Sequence, residues 1–307
     1  MTLPLTELVQ PFPPSRDWER SASVAAGLRS VPLSAPARPF IRWVGGKGRL
    51  LQNLLPHVPD KVNDYYEPFL GGGAMFFAVQ PRTQGTSHLF DLNEELTNAW
   101  VALRSHSEEL LQLLRYYTER DSEEFYYSVR PMEPIGLVPR AARFFYLNQT
   151  SWNGLWRVNK FGKFNVPWGR KPFRGLSPAV VDDAMRVLAR TNIACRDFRS
   201  ILSMPEVGDF VYLDPPYLPI SDTSKFHLYT ERRFRAADLA TLALACDELS
   251  DRGVNWMMSN RDTSLVRELF QRHQMTELTA RRAVAAQNRR DVEKVQSPEL
   301  IIVGVSS

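Results

Sequence analysis

Four consecutive residues combine an acid, two prolines and an aromatic ring: Asp214, Pro215, Pro216 and Tyr217. They directly follow the apolar run Phe210–Leu213, which is typical of a buried strand. Open α/β sheets bind ligands where their strands end, and a proline-rich turn leaves nearby carbonyls facing such a ligand. A carboxylate, a carbonyl and a flat ring suit a planar group bearing an NH2, such as a nucleobase. A plain surface turn is the alternative for this tetrapeptide alone.

Glycines lie between the first predicted strand and the next helix. Gly71 and Gly73 follow Glu67 by a few residues, and Asp91 ends the next strand twenty positions after Gly71. Such glycines let the backbone approach a ligand closely, and an acid at that spacing can accept hydrogen bonds from ribose hydroxyls. The glycines and Asp91 together predict a nucleoside ligand. NAD is disfavoured, because Phe76 stands where the G-x-G-x-x-G motif has its third glycine. The alternative is a tight turn without a ligand, with Asp91 capping a helix.

A third turn, from Trp43 to Lys47, contains an aromatic residue, two glycines and a cation. It is not a nucleoside-triphosphate loop, because Gly48 stands where Ser or Thr is needed. Trp43 could pack on a base, and Lys47 could hold a carboxylate. The alternative is a helix-entry turn with a solvated lysine.

A basic segment spans residues 134–181 and contains eight lysines and arginines and no acid. Cations neutralise phosphates, aromatic rings stack on bases, and Arg157 could bind guanine through two hydrogen bonds. The segment therefore favours nucleic acid as a partner over a merely solvated basic face. A second basic patch contains Arg281 and Arg282, but nearby acids dilute it. The aromatic residues of the first segment include Trp152, Trp156, Phe161, Phe164, Trp168 and Phe173.

Composition limits the class of protein. Of 307 residues, 44% are hydrophobic and 23% are charged, and the net charge is +4, as in ordinary globular proteins with a slightly basic surface. The two cysteines, Cys195 and Cys246, lie in apolar patterns typical of a core and form neither a disulfide framework nor a metal-ligand set. No apolar run has the length of a membrane span, and no signal-peptide pattern is present, so we expect a cytoplasmic protein.

Alternating strand and helix patterns from about residue 40 predict an α/β fold with a mostly parallel sheet. Residues 39–92 and 191–307 form the α/β domain in this prediction. Residues 93–190 form an inserted, mainly helical domain that begins with one long helix over 93–120. Residues 1–38 hold six of the 22 prolines and indicate a poorly ordered extension. Strands are expected at 62–66, 88–90, 192–194, 210–213, 254–259, 275–284 and 300–305, and helices at 74–79, 235–250 and 262–273.

Taken in order, these motifs resemble the Dam-type DNA adenine-N6 methyltransferases of the D12 class. In that family a glycine motif precedes an inserted DNA-recognition domain, and the Asp-Pro-Pro-Tyr motif follows it. The resemblance covers about residues 38–305. It is carried by residues 40–47, 67–73, 91–93, 146–148, 152–159, 162–169, 197–198, 209–217, 226–229, 259–260 and 281–284.

The resemblance implies a Rossmann-like, S-adenosylmethionine-dependent methyltransferase fold with seven strands and an inserted, mainly helical target-recognition domain. It implies S-adenosyl-L-methionine as cofactor, double-stranded DNA as partner, no metal ion, and a monomer or weak dimer near the nucleoid. The catalytic residues would be Asp214, Pro215, Pro216 and Tyr217, with the acid and the Pro215 carbonyl gripping the NH2 of a flipped adenine. The residues implied for the cofactor are Trp43, Lys47, Glu67, Phe69, Gly71, Gly73, Asp91, Asp197, Phe198 and Asp214.

The resemblance also implies the DNA contacts. Arg157 and Pro167 match positions that read bases in members recognising GATC, and Trp152 with Asn153 matches a Tyr-Asn pair that assists adenine extrusion. Trp152 departs from the usual tyrosine, and residues 285–288 lack the Ser and Asn-Gly common in that loop. The residues implied for DNA are Trp152, Asn153, Arg157, Asn159, Lys163, Asn165, Pro167, Arg170, Lys171, Arg281 and Arg282.

Three alternatives stay open at this point. The methyl acceptor could be cytosine N4 or an RNA adenine, although cytosine-N4 enzymes more often carry serine at the position of Asp214. The chain could be an inactive DNA-binding relative, which the intact glycine loop and Asp-Pro-Pro-Tyr motif oppose. An NAD enzyme is opposed by the glycine spacing and by the acid-free basic segment.

Overall fold

The computed structural model describes residues 37–218, 234–280 and 297–305. Within these residues the strands join into a single sheet of seven. The strands are β1 Tyr65–Glu67, β2 Ser87–Asp91, β3 Thr191–Cys195, β4 Phe210–Leu213, β5 Asn255–Arg261, β6 Gln274–Ala280 and β7 Ser297–Val303. Their order across the sheet is β3-β2-β1-β4-β5-β7-β6, which confirms the predicted α/β class.

The strand order changes direction between β1 and β4. From β1 the chain adds β2 and then β3 on one side, whereas β4 and β5 lie on the other side, all parallel. Strand β7 lies between β5 and β6 and runs antiparallel to both of them. Parallel strands end at one edge of a sheet, so the loops after β1 and β4 diverge side by side. A crevice between diverging loops is where such sheets bind ligands.

The helices cover both faces of the sheet and fill the segment between β2 and β3. Among the described residues, no helix is long and apolar enough to cross a membrane. The helices are α1 Leu51–Leu54, α2 Ala74–Val79, α3 Glu94–Ser105, α4 Ser107–Arg120, α5 Glu123–Val129, α6 Leu137–Thr150, α7 Pro178–Leu188, α8 Ala236–Asp251 and α9 Ser264–Leu269.

The predicted single helix over 93–120 is wrong, because His106 divides it into α3 and α4. The backbone of His106 has φ −142° and ψ 40°, outside the helical region. Glu108 and Glu109 then stand in the first turn of α4, where acids stabilise a helix N-terminus. Helical periodicity continues across the break, which is why the sequence pattern did not reveal it.

Two apolar layers pack against the sheet, and successive strand residues alternate between them. Tyr65 and Tyr212 face the layer that includes α2, α3 and α6, while Tyr66 and Leu213 face the layer that includes α8 and α9. Cys246 of α8 is buried, as expected. The expectation for Cys195 is wrong: it is exposed, because it ends the edge strand β3.

The glycine loop after β1 fits only because its glycines lack a side chain. Gly71 and Gly73 have φ of +49° and +68°, a region that L side chains rarely adopt. A Cβ on Gly71 would lie 2.7 Å from Cδ1 of Trp43, and one on Gly73 would lie 2.7 Å from Trp100. The Nε1–H of Trp100 donates to the Gly71 carbonyl at 3.2 Å. The loop is therefore held between two tryptophans.

We expect Gly73→Ala to lower the free energy of unfolding by about 2–4 kcal/mol, through a left-handed Ala and displacement of a buried tryptophan. Gly48→Ala is the matched control, since its Cβ would meet nothing within 4 Å. That control should change stability by no more than about 1 kcal/mol. Urea unfolding of both variants tests this, and equal effects would contradict the steric account.

Candidate active site

The turn after β4 places the Asp214 carboxylate between side chains from two other parts of the chain. Its Oδ1 lies 2.7 Å from Nζ of Lys47 and accepts a hydrogen bond from Ser259 Oγ at 3.3 Å. Ser259 is also hydrogen-bonded to the Tyr212 hydroxyl at 2.8 Å. Burial, followed by the nearby Asp214 charge, raises the pKa of Tyr212 well above its usual range, so its hydroxyl stays protonated. The carboxylate thus has a fixed position.

Lys47 is buried, with 5% of its surface exposed. Besides Asp214, its ammonium donates to the Gly45 carbonyl at 3.1 Å and lies 5.0 Å from the centre of the Tyr217 ring. A buried cation needs such partners, because removal from water is costly. The lysine predicted to hold a cofactor carboxylate therefore contacts the predicted catalytic acid in this structure.

Tyr217 is half-buried beside the same turn. Its hydroxyl donates to Oε1 of Glu299 at 3.0 Å, and the Arg261 guanidinium lies 5.4 Å from its ring centre. Sequence reasoning singled out neither Glu299 nor Arg261. An acid directly before the apolar run Leu300–Ile302 was the available signal.

Asp91 stands at the end of β2 and binds the glycine loop directly. Its Oδ2 accepts from the Gly71 N–H at 3.0 Å, and its Oδ1 accepts from the Asn93 N–H at 2.9 Å. Burial raises its pKa above the ordinary value, and these backbone donors oppose the shift. The cap of α3 is Asn93, whose Oδ1 accepts from Leu96 N–H at 3.0 Å. Asp91 therefore joins two loops at the edge of the predicted nucleoside site.

Glu67 lies beneath the loop, 2% exposed. The Tyr65 hydroxyl donates to its Oε2 at 2.7 Å. Burial raises the pKa of Glu67 well above its usual range; the Tyr65 hydrogen bond lowers it, while the negative charge of Asp214 raises it further. The structure thus favours a protonated Glu67 that supports the loop from inside the protein.

Three phenylalanines cluster beside the glycine loop. The rings of Phe69 and Phe198 are 5.6 Å apart, and Phe234 lies 6.1 Å from Phe69 and 6.2 Å from Phe198. Asp197 accepts from the Arg199 N–H at 3.0 Å and also pairs with the Arg199 side chain. Flat apolar rings, a carboxylate at the end of β2 and a close-packed glycine loop fit an adenosine-containing group. Sequence reasoning missed Phe234.

A hairpin over residues 157–165, in which Val158 pairs with Phe164, interrupts the helical insert and carries several residues predicted to contact DNA. Arg157 and Asn165 face each other across it, and the Asn165 side-chain oxygen accepts from Arg157 Nε at 2.8 Å. Asn159 Oδ1 accepts from the backbone N–H of Phe161 and of Lys163, which closes the turn. Asn165 and Asn159 therefore shape the hairpin, and Phe161 at its tip is 70% exposed.

The chain next to the hairpin presents further predicted DNA residues. Trp152 is 44% exposed, and its backbone N–H donates to the Pro167 carbonyl at 2.9 Å. Asn153 and Arg170 both have φ of +54°. Lys171 lines a cleft with Arg42 and Arg174, among others, so cations converge there. Arg281 and Arg282 lie outside the described residues.

One side chain joins the insert to the turn that carries Lys47. Asn148, near the end of α6, accepts from the Arg42 N–H at 3.0 Å and donates to the Arg42 carbonyl at 2.6 Å. The Trp43 ring lies 6.3 Å from that of Phe144, also on α6. The helix that leads into the hairpin is thereby fixed to the turn that carries Lys47.

Comparison with known proteins identifies relatives along most of the chain. The family model for D12 class N6 adenine-specific DNA methyltransferase matches residues 43–284. The type II methyltransferase M1.LlaDCHI of Lactococcus lactis subsp. cremoris is 35% identical over 260 residues, or 82% of this chain and 90% of that protein. The type II methyltransferase M.MjaIII of Methanocaldococcus jannaschii is 32% identical, with 80% and 92% covered. The DNA adenine methylase of Escherichia coli is 31% identical, with 81% and 90% covered.

The raised pKa of Glu67 predicts a specific pH dependence of stability. Because its folded-state pKa lies above the ordinary value of 4.5, its stabilisation is complete below that pH and is lost as the pH rises toward the raised pKa. Glu67→Gln mimics the neutral acid. The stability of the variant relative to the parent should therefore increase with pH, by up to about 1.4 kcal/mol per unit. Chemical unfolding between about pH 5 and 8 measures this, and a constant difference would show that Glu67 is ionised in the folded protein.

Proposed function

Because the chain belongs to the D12 class of N6 adenine-specific DNA methyltransferases, we propose that it transfers a methyl group from S-adenosylmethionine to N6 of an adenine flipped out of duplex DNA. The observation that carries this proposal is the Asp214–Tyr217 turn beside the glycine loop, with Asp214 fixed by Lys47 and Ser259. An acceptor and a flat ring then lie at the edge of a site suited to an adenosine group.

Asp214 has the central role in the proposed chemistry. The adenine amino group is a weak nucleophile, because its lone pair is delocalised into the ring. The Asp214 carboxylate and the Pro215 carbonyl accept hydrogen bonds from both N–H bonds, which localises the lone pair and directs it toward the donor. Orientation and preorganised dipoles supply most of the rate in such a site.

The transfer balances without a covalent enzyme intermediate. Bound S-adenosylmethionine would supply a methyl group on a positively charged sulfur. The leaving group would be a neutral thioether, because the electron pair of the broken carbon–sulfur bond would stay on sulfur when the nitrogen held by Asp214 and Pro215 bonds to carbon. The methylated nitrogen would then lose one proton to the Asp214 carboxylate. Asp214 need not be a strong base, because methylation makes that proton far more acidic.

The other side chains position the two reactants. Asp197 and Phe198 would flank the cofactor adenine, and Asp91 would accept from the ribose hydroxyls. Phe69 and the loop from Gly71 to Gly73 would line the methionine and adenosine moieties. Trp43 encloses the loop from outside, and Lys47 orients Asp214. Tyr217 stacks on the flipped adenine, which offsets part of the few kcal/mol that unstacking costs.

The hairpin and the residues next to it select the DNA sequence. Arg157, held by Asn165, reads a guanine in the major groove, and Pro167 contacts a neighbouring base. Trp152 and Asn153 assist the flip. Lys163, Arg170 and Lys171 contact phosphates. We propose GATC or a related site, on the likeness of these positions to the Dam-type pattern.

Asp214→Ala should reduce methyl transfer about 100-fold or more, because no carboxylate remains to localise the lone pair. Transfer of labelled methyl groups to duplex DNA, with mass spectrometry of the nucleosides, measures the rate and identifies the base. Asp182→Ala, which removes an exposed acid of α7, is the control. Turnover near the parent value in Asp214→Ala would rule out the assignment.

Arg157→Ala should relax the preference for one base pair by about 1–3 kcal/mol. Lys171→Ala should instead weaken binding to every sequence alike and lower the salt slope by about one. Binding and methylation of GATC duplexes with single changed positions separates the two effects. If Arg157→Ala weakens binding to all sequences equally, Arg157 contacts a phosphate rather than a base.

A further inference from the structure

Glu299 is a buried acid on a strand outside every motif that defines the active site. It is 1% exposed and directly precedes the buried residues Leu300, Ile301 and Ile302 of β7. A carboxylate in such surroundings is costly unless it is hydrogen-bonded. Its Oε1 accepts from the Tyr217 hydroxyl at 3.0 Å. The contact joins residues 82 positions apart in the sequence.

This contact holds the far end of the Tyr217 ring. Tyr217 directly follows Pro215 and Pro216, where the backbone is stiff because proline fixes φ. A hydrogen bond at the tyrosine hydroxyl fixes the first side-chain torsion, because it fixes where the hydroxyl oxygen lies. It also favours a ring plane that contains the acceptor, because a phenolic O–H prefers the plane of its ring. The cations of Lys47 and Arg261 lie 5.0 and 5.4 Å from the ring centre. The position of the ring is therefore set, and its plane is favoured, before any base arrives.

The same two strands hold the rest of the turn. In the antiparallel pair β5 and β7, Arg261 is the direct partner of Glu299. Arg261 donates to the Leu218 carbonyl at 3.4 Å, directly after Tyr217. Ser259, two residues earlier on β5, donates to Asp214. Hydrogen bonds to side chains of β5 and β7 thus hold both ends of the Asp214–Tyr217 turn.

We propose that Glu299 is a positioning residue that orients the Tyr217 ring for stacking on the extruded adenine. The inference rests on the proposed function, in which Tyr217 stacks on that base. A ring ordered in advance loses less entropy when the base arrives, so more of the bound base adopts the reactive pose. Glu299 itself acts only through Tyr217.

The test compares Tyr217→Phe, Glu299→Leu, their combination and Glu299→Gln. Tyr217→Phe and Glu299→Leu each remove one end of the hydrogen bond, and each should slow single-turnover methyl transfer about tenfold, the effect of one hydrogen bond to a charged group. The double variant should be no slower than either single variant. Glu299→Gln keeps an acceptor oxygen and should retain most of the rate.

A second measurement reports the stack directly. In a duplex with 2-aminopurine at the target position, fluorescence of the extruded base should rise in Tyr217→Phe and Glu299→Leu, since a less ordered ring quenches it less. Tyr127→Phe, which removes a partly exposed hydroxyl on α5, is the matched control and should change neither readout. A purely structural Glu299 would lower stability without altering the fluorescence.

The outcomes separate this inference from the proposed function. If the parent protein methylates adenine but Tyr217→Phe matches it in rate and fluorescence, Glu299 does not act through this bond and the inference fails alone. Effects that multiply in the double variant would also overturn it. A parent protein that methylates no adenine overturns the proposed function and this inference together. Tyr217→Phe keeps the test decisive even if Glu299→Leu fails to fold.

Discussion

The ammonium group of Lys47 is almost completely removed from water and is paired with Asp214. This ion pair determines where the neighbouring loops can lie. The turn carrying Lys47 must lie over the end of β4, and the glycine loop must leave room for Trp43. Those glycines in turn allow Trp100 to pack beneath them. Loops that are far apart in sequence are thereby locked together where the parallel strands end.

Polar groups are also buried within one of the two layers that pack on the sheet. Tyr65 with Glu67 and Tyr212 with Ser259 form buried hydrogen-bonded pairs beneath the site. Such networks stabilise the fold only when every polar group in them is hydrogen-bonded, because a buried polar group without a partner costs free energy. Ser259 also donates to Asp214, so the second pair helps to hold that acid in place.

The sequence pattern predicted which elements exist but not which side chains meet. The bounds of β4 agree with the expected run, since four buried apolar residues ended by Asp-Pro-Pro leave little choice. The helix over 93–120 was mispredicted because apolar periodicity continues across His106. The contacts of Asp214 with Lys47 and of Tyr217 with Glu299 bridge distant segments, and periodicity holds no information on such pairs. Arg281 and Arg282 remain predictions.

The hairpin of the insert separates the residues that hold it from those that face outward. Phe164 and Val166 are buried and anchor it to the core, whereas Phe161 and Trp152 are exposed. Substitutions at the exposed positions therefore have little effect on folding, while Asn148 holds the helix before the hairpin against the turn that carries Lys47. The outer surface of the hairpin is consequently free to vary in sequence without disturbing the buried residues that hold it.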